Sequence, residues 1–155
     1  FMLRVSEEIA QAKRHKLNFS VVVLGVDNLK LFNSTYGEKA GDEVLKRMGI
    51  LLKAYMRNSD LIARYDNTDK FLIIFPFTRG EQALIPVQRF QEAVSRYRFY
   101  EKDPSITLTV SAGISAYPED GENERILLEK AEAALRRSKV SGKNKVTLFS
   151  KDLKE

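Results

Sequence analysis

The chain has no cysteine, and it carries one histidine and four prolines in 155 residues. Without thiols there is no disulfide framework and no thiolate metal site. The single histidine, His15, sits in the basic stretch AKRHK and reads as a solvated helix residue. Histidine-based metal centres and Ser-His-Asp catalysis are therefore not expected. No apolar run approaches the roughly 18 residues that a membrane span needs, and no signal-peptide pattern opens the chain. Neither charge dominates: 26 Lys+Arg stand against 21 Asp+Glu, a net +5 with both signs interspersed. That balance suits an anionic partner. The basic residues form no aromatic-interleaved stripe, which argues against nucleic acid as that partner.

What is present suits one globular domain. Hydrophobic residues make up 43% and charged residues 30% of the chain, ordinary for a soluble fold of this size. Because the chain opens on Phe1 rather than Met, residues 1–155 are expected to be a single domain from a longer protein.

Leu3, Ile9 and Ala12 among charges predict a helix over 3–16. Residues 19–26 (FSVVVLGV) are nearly continuous and β-branched, which predicts a strand covered on both faces. Asp27 follows and is expected to cap a short helix that stops at Gly37. Val44, Leu45, Met48, Leu51, Leu52, Tyr55 and Met56 recur at three- and four-residue steps, one apolar stripe of a helix over 39–57. A helix over 80–99 is expected to kink or begin at Pro86. From Ile106 to Ser115 apolar residues alternate with Thr, Ser and Gly, a period-two strand. A helix over 124–139 ended by Gly142 and a strand over 146–149 follow, and 151–155 are expected to fray.

Two β-rich runs, 61–65 and 71–75, flank the polar break Asp66-Asn67-Thr68-Asp69-Lys70. They predict a β-hairpin over 60–77 whose tip carries two carboxylates and a lysine. A hairpin mixed with helical crossovers gives an α+β domain, a central mixed, mainly antiparallel sheet of about five strands flanked by helices.

The stretches VVVLGVDNLKLFNSTYGEKAGDEVL, RNSDLIARY, FLIIFP, TLTVSAGIS followed by AYPEDG, and EKAEAALRRSKVSGKNKV stand in consistent order and spacing. On these the chain resembles the GGDEF domain, the catalytic module of diguanylate cyclases, over essentially its whole length. The resemblance implies a nucleotide-cyclase palm of ferredoxin-like type. It implies condensation of two GTP into cyclic di-GMP with Mg²⁺ or Mn²⁺, each of two domains presenting one GTP. A homodimer, an upstream sensory or regulatory domain and a cytoplasmic setting go with it. The resemblance assigns guanine recognition to Asn33 and Asp42, and phosphate contacts to Lys30, Lys139 and Lys143. It assigns an inhibitory cyclic di-GMP site to Arg57 and Asp60. A supporting arginine belongs on the following helix, where Gln91 stands, with Arg89 as a substitute. Taken singly, each of these residues also has a plain structural role, as a helix-end amide, a helix-start carboxylate or a solvated basic helix end.

The departures fall where the chemistry would be. After Arg64-Tyr65 the family's Gly-Gly-Asp/Glu-Glu-Phe is replaced by Asp66-Asn67-Thr68-Asp69-Lys70-Phe71, one residue longer. Asn67 and Thr68 stand in place of glycines, which let a backbone approach a ligand closely. Asp69 takes the position of the metal-binding acid and Lys70 that of the second acid. Gly25 stands where the family has its other metal-binding aspartate. Magnesium wants hard oxygen ligands in tight geometry, so one lost carboxylate and a lysine beside the other weaken its binding. The expectation is a degenerate GGDEF domain of cyclic di-GMP signalling, deficient as a cyclase and regulatory or nucleotide-binding, with cyclic di-GMP or GTP as ligand and Mg²⁺ or Mn²⁺ only if active. Two alternatives stand beside it: an atypical cyclase using Asp69 and Asp66 for metal, and an interaction or dimerisation module that kept only the fold.

Overall fold

The computed structural model describes residues 2–65 and 68–152. Its strands are β1 (Phe19–Val26), β2 (Leu61–Arg64), β3 (Lys70–Pro76), β4 (Val110–Tyr117) and β5 (Val146–Leu148), in the sheet order β2-β3-β1-β4-β5. The pairs β1–β3, β1–β4 and β2–β3 are antiparallel, and β4–β5 is parallel. The expected mixed, mainly antiparallel sheet is thus observed. The helices are α1 (Met2–His15), α2 (Leu29–Tyr36), α3 (Glu38–Tyr55), α4 (Gly80–Arg96), α5 (Glu124–Val140) and the short α6 (Phe149–Asp152).

Both faces of the sheet are covered, which explains why β1 is buried along its whole length. Val22, Leu24 and Val26 point to one face and join the core beneath α2, α3 and α4, including Phe32, Met48 and Phe90. Val21 and Val23 point to the other and pack under α1 and α5, against Ile9, Leu127 and Ala131. Alternate side chains of one strand therefore feed two separate cores.

On β4 the alternation means something other than a wet face. Ser111, Gly113 and Ser115 are buried under α5. Ser115 Oγ donates to Leu127 O at 2.6 Å, and Ser138 Oγ donates to Ala112 O at 2.8 Å. At Gly113 an added Cβ would lie 2.1 Å from Ala131 O and 2.2 Å from Leu135 N. Small and hydroxylated residues on this row let the α5 backbone rest on the strand and be bonded to it.

Several boundaries differ from expectation for visible reasons. The strand placed at 106–115 runs from Val110 to Tyr117, because its length is set by its partner: Val110 faces Val26 and Tyr117 faces Phe19. Leu108 is buried, but it lies beyond the end of β1 and has no strand to pair with. Of the two expectations for α4, a kink or a start at Pro86, the start is not what is seen. The helix starts at Gly80, where Arg79 N donates to Gln82 Oε1 at 2.9 Å, and runs through the proline. Phe149 opens α6 instead of extending β5, and α6 takes in 151–152 of the tail expected to fray, whose last three residues lie outside the described residues.

Replacing Gly113 by alanine should lift α5 from the sheet. Overpacking of a close backbone contact costs about 1–3 kcal/mol and occasionally more, so urea denaturation should show a loss at or above that range, whereas Gly49→Ala, in α3 and no nearer than 3.4 Å to Phe71, should cost less.

Candidate functional site

A cleft of about 380 Å³ opens between α2, α3 and the hairpin tip, lined by Lys30, Asn33, Asp42, Arg64, Thr68 and Asp69 together with Leu29, Glu38 and Leu45. Four residues singled out from sequence, Lys30, Asn33, Asp42 and Asp69, are thus brought together. The α2–α3 turn does much of this. Gly37, at φ 98°, lets the chain reverse within one residue and donates to Asn33 O at 2.8 Å. The last turn of α2 then faces the first turn of α3.

Gly41 is what seats Asn33, and its part was not anticipated. An added Cβ at Gly41 would lie 1.7 Å from Asn33 Oδ1, so the amide occupies the space a side chain would take. Asn33 Oδ1 is buried and has no hydrogen-bond partner among the described residues. An unsatisfied buried acceptor costs about 1–3 kcal/mol, and Asp42, one residue past Gly41, is exposed to the cleft. A helix-interior glycine directly before the carboxylate was the available signal.

The hairpin tip closes the cleft. Val26 N donates to Asp69 O at 3.2 Å and Tyr65 N to Lys70 O at 3.0 Å. Thr68 is turned into the loop: its hydroxyl donates to Tyr65 O and accepts from Lys70 N at 3.1 Å, while Arg64 Nη2 donates to Thr68 O at 2.8 Å. Asp66 and Asn67 lie outside the described residues. Asp69 lines the cleft, whereas Lys70 pairs with Gly25 in the β1–β3 register and so shares the opposite, α5-covered face.

On that face Asp27 is not the helix cap expected of it. Asn28 holds the N-cap position of α2, in left-handed geometry and without a side-chain cap bond. The Asp27 side chain is 0% exposed. It accepts from Thr109 Oγ1 at 2.7 Å, from Ser111 Oγ at 2.8 and 3.0 Å, and from Asn144 N at 3.0 Å. Lys139 Nζ stands 3.4 Å from its Oδ1. A buried charge is tolerated only when so engaged. Lys143 reaches the next residue, donating to Asn28 Oδ1 at 2.6 Å. Lys139 and Lys143 therefore gather at the β1–α2 junction beside the cleft rather than lining it.

These donors do not fit a magnesium or manganese centre. Gly25 offers no ligand, and an added Cβ there would meet Lys139 Cε and Nζ at 3.3 Å, so an ammonium occupies the place next to Asp27. Both Asp27 oxygens are already bonded. Among the described residues no group of three His, Cys, Asp or Glu could hold a metal ion.

Arg57 and Asp60 lie at the far end of β3 from the hairpin tip, a separation of roughly 20 Å along the strand. Asp60 is spent locally: it accepts from Arg57 N at 2.8 Å and from Arg57 Nη2 at 3.0 Å, and its side chain is 1% exposed. The Arg57 side chain is 60% exposed and also donates to Thr78 Oγ1 at 3.1 Å. It borders a pocket of about 310 Å³ with Phe77, Gln82, Ile85 and Pro86. Arg89 follows Ile85 and Pro86 by one helical turn on the same face of α4. Gln91 points elsewhere, donating to Asn144 Oδ1 at 3.0 Å.

Comparison with known proteins finds relatives along most of the chain. A family model described as diguanylate cyclase, GGDEF domain, matches residues 1–145. Diguanylate cyclase A of Treponema denticola is 33% identical over 138 residues, covering 89% of this chain and 37% of that protein. The cyclic di-GMP phosphodiesterase NbdA of Pseudomonas aeruginosa is 32% identical over 86% of this chain and 17% of its own length. The chain thus spans well under half of these curated relatives. Among solved structures, the GGDEF domain of DgcB from Caulobacter crescentus in complex with c-di-GMP superposes with a TM-score of 0.84 at 26% identity, covering 94% of this chain and 85% of that one.

Asp27→Ala should destabilise the domain by about 1–3 kcal/mol, since it leaves three hydrogen-bond donors unpartnered while the Lys139 ammonium, with its side chain 29% exposed, can turn to solvent. Asp69→Ala, at the edge of the cleft, should stay within about 0.5 kcal/mol. Equilibrium denaturation of both variants checks the contrast.

Proposed function

The chain belongs to the GGDEF domain family of diguanylate cyclases, and from that premise we propose that it binds guanine nucleotide within cyclic di-GMP signalling without cyclising GTP. The observation that carries this reading is the unpartnered Asn33 Oδ1 beside the Asp42 carboxylate. Guanine presents an N1–H and an exocyclic amine on one edge, and both want acceptors. Adenine offers only one donor group there, so two acceptors side by side favour guanine. Lys30, Lys139 and Lys143, gathered round the first turn of α2, suit the phosphates, where the helix's free N–H groups also favour an anion.

Cyclase chemistry is what the reading withholds. Phosphoryl transfer depends on metal ions that neutralise developing charge; Gly25 offers no carboxylate, both Asp27 oxygens are bonded, and Asp69 is left as a single acid at the cleft. Cyclic di-GMP fits the second site through Arg57, whose guanidinium offers bidentate donors to phosphate or guanine. Asp60, bonded to that guanidinium, positions it, and Arg89 adds a second cation on the same helix face. The domain then serves as a regulatory module joined to a sensory or regulatory partner domain, in the cytoplasm where GTP is found, with pairing of two copies as its mode of assembly.

Calorimetric titration tests both sites. Asp42→Ala should weaken GTP binding at least about tenfold and leave cyclic di-GMP binding intact, and Arg57→Ala should do the reverse. ATP should bind at least about tenfold more weakly than GTP. Incubation with GTP and Mn²⁺ followed by chromatography should yield no cyclic di-GMP. Product that disappears in Asp69→Ala would instead establish an atypical cyclase, and self-association without binding of either nucleotide would leave only an interaction module.

A further inference from the structure

The end of β1 places three side-chain positions in one row across the sheet, Lys70 on β3, Gly25 on β1 and Ser111 on β4. Residues paired across antiparallel strands project to the same face. At Gly25 that face is the one where Lys139 lies, its Nζ 3.3 Å from where a Cβ would stand. Lys70 and Lys139 therefore lie on the same face at this end of the sheet, one from the hairpin and one from α5. Lys143 joins them at the neighbouring Asn28. Against these three ammonium groups stands the buried carboxylate of Asp27, and it is paired with Lys139 alone. Lys70 makes no ion pair among the described residues, and Asp69, the acid beside it, lines the cleft on the other face.

We propose that these lysines take the place of divalent ions, so that the domain binds its guanine nucleotide as the metal-free polyanion and Mg²⁺ does not support binding. This rests on the nucleotide reading above. An ammonium held beside Asp27 repels a divalent cation from that carboxylate, by the same Coulomb term that attracts a phosphate oxygen. Lysine meets phosphate directly, as a point charge with three donors. A magnesium-bound triphosphate arrives with less negative charge and with oxygens already taken by the ion, and so has less to offer such a cluster.

GTP titrated into the chain in excess EDTA, and again in millimolar Mg²⁺, tests this. The expected result is an affinity in Mg²⁺ equal to or weaker than that in EDTA. Lys70→Glu should lose at least about tenfold in EDTA, and Lys70→Arg should keep most of the affinity. Circular dichroism shows whether each variant is folded. Binding that tightens more than about threefold on adding Mg²⁺, or that is unchanged in folded Lys70→Glu, overturns the proposal and leaves the guanine site standing. No binding of GTP in either buffer removes the nucleotide reading, and this inference with it.

Discussion

The buried carboxylate of Asp27 is the constraint around which the rest is arranged. A charge with a side chain 0% exposed survives only if every oxygen is bonded. Satisfying it ties together the end of β1, the start of β4 through Thr109 and Ser111, and the loop between α5 and β5 through Asn144. That loop places two consecutive non-glycine residues, Lys143 and Asn144, at positive φ, 64° and 51°, a conformation that costs free energy and needs compensation. The same ion pair draws Lys139 across Gly25. The position of the cationic cluster is therefore a consequence of how the fold satisfies one internal charge.

The sheet divides the site into two halves of different chemistry. The α2–α3 side gathers the Gly37 reversal, the Gly41 seat, Asn33 and Asp42 at the cleft, the half proposed to read a base. The α5 side carries Gly25 and Lys70 in one row beside Lys139. Because the pleat sends neighbouring residues to opposite faces, Asp69 and Lys70 serve different halves though adjacent in the chain.

Most of the fold was legible from periodicity. FSVVVLGV, buried on both sides, and the helical stripe of Val44, Leu45, Met48 and Leu52 each carry their own pattern, independent of partners. What was not legible depended on partners distant in sequence. The start of β4 is decided by where β1 ends. Pro86 is carried by a helix whose start is bonded through Arg79 and Gln82. Asp27, directly before a helix, looks like a cap, and only the approach of residues 109, 111, 139 and 144 makes it an anchor. In the candidate site, Asn33 and Asp42 were singled out through the resemblance to the family, whereas the importance of Gly41 came from an amide one helix away. Of the Arg57–Asp60 pair, the sequence could not say that the acid turns inward and leaves the arginine to face outward.

The contact between Gly25 and Lys139 also bears on redesign of this domain. An aspartate introduced at position 25 would arrive within reach of an ammonium already held there, and would be neutralised as an ion pair before it could ligate a cation. Turning this place into a cation site would demand coordinated changes at Gly25, Lys70 and Lys139. No single one of them suffices, because each alone leaves a lysine beside the carboxylates.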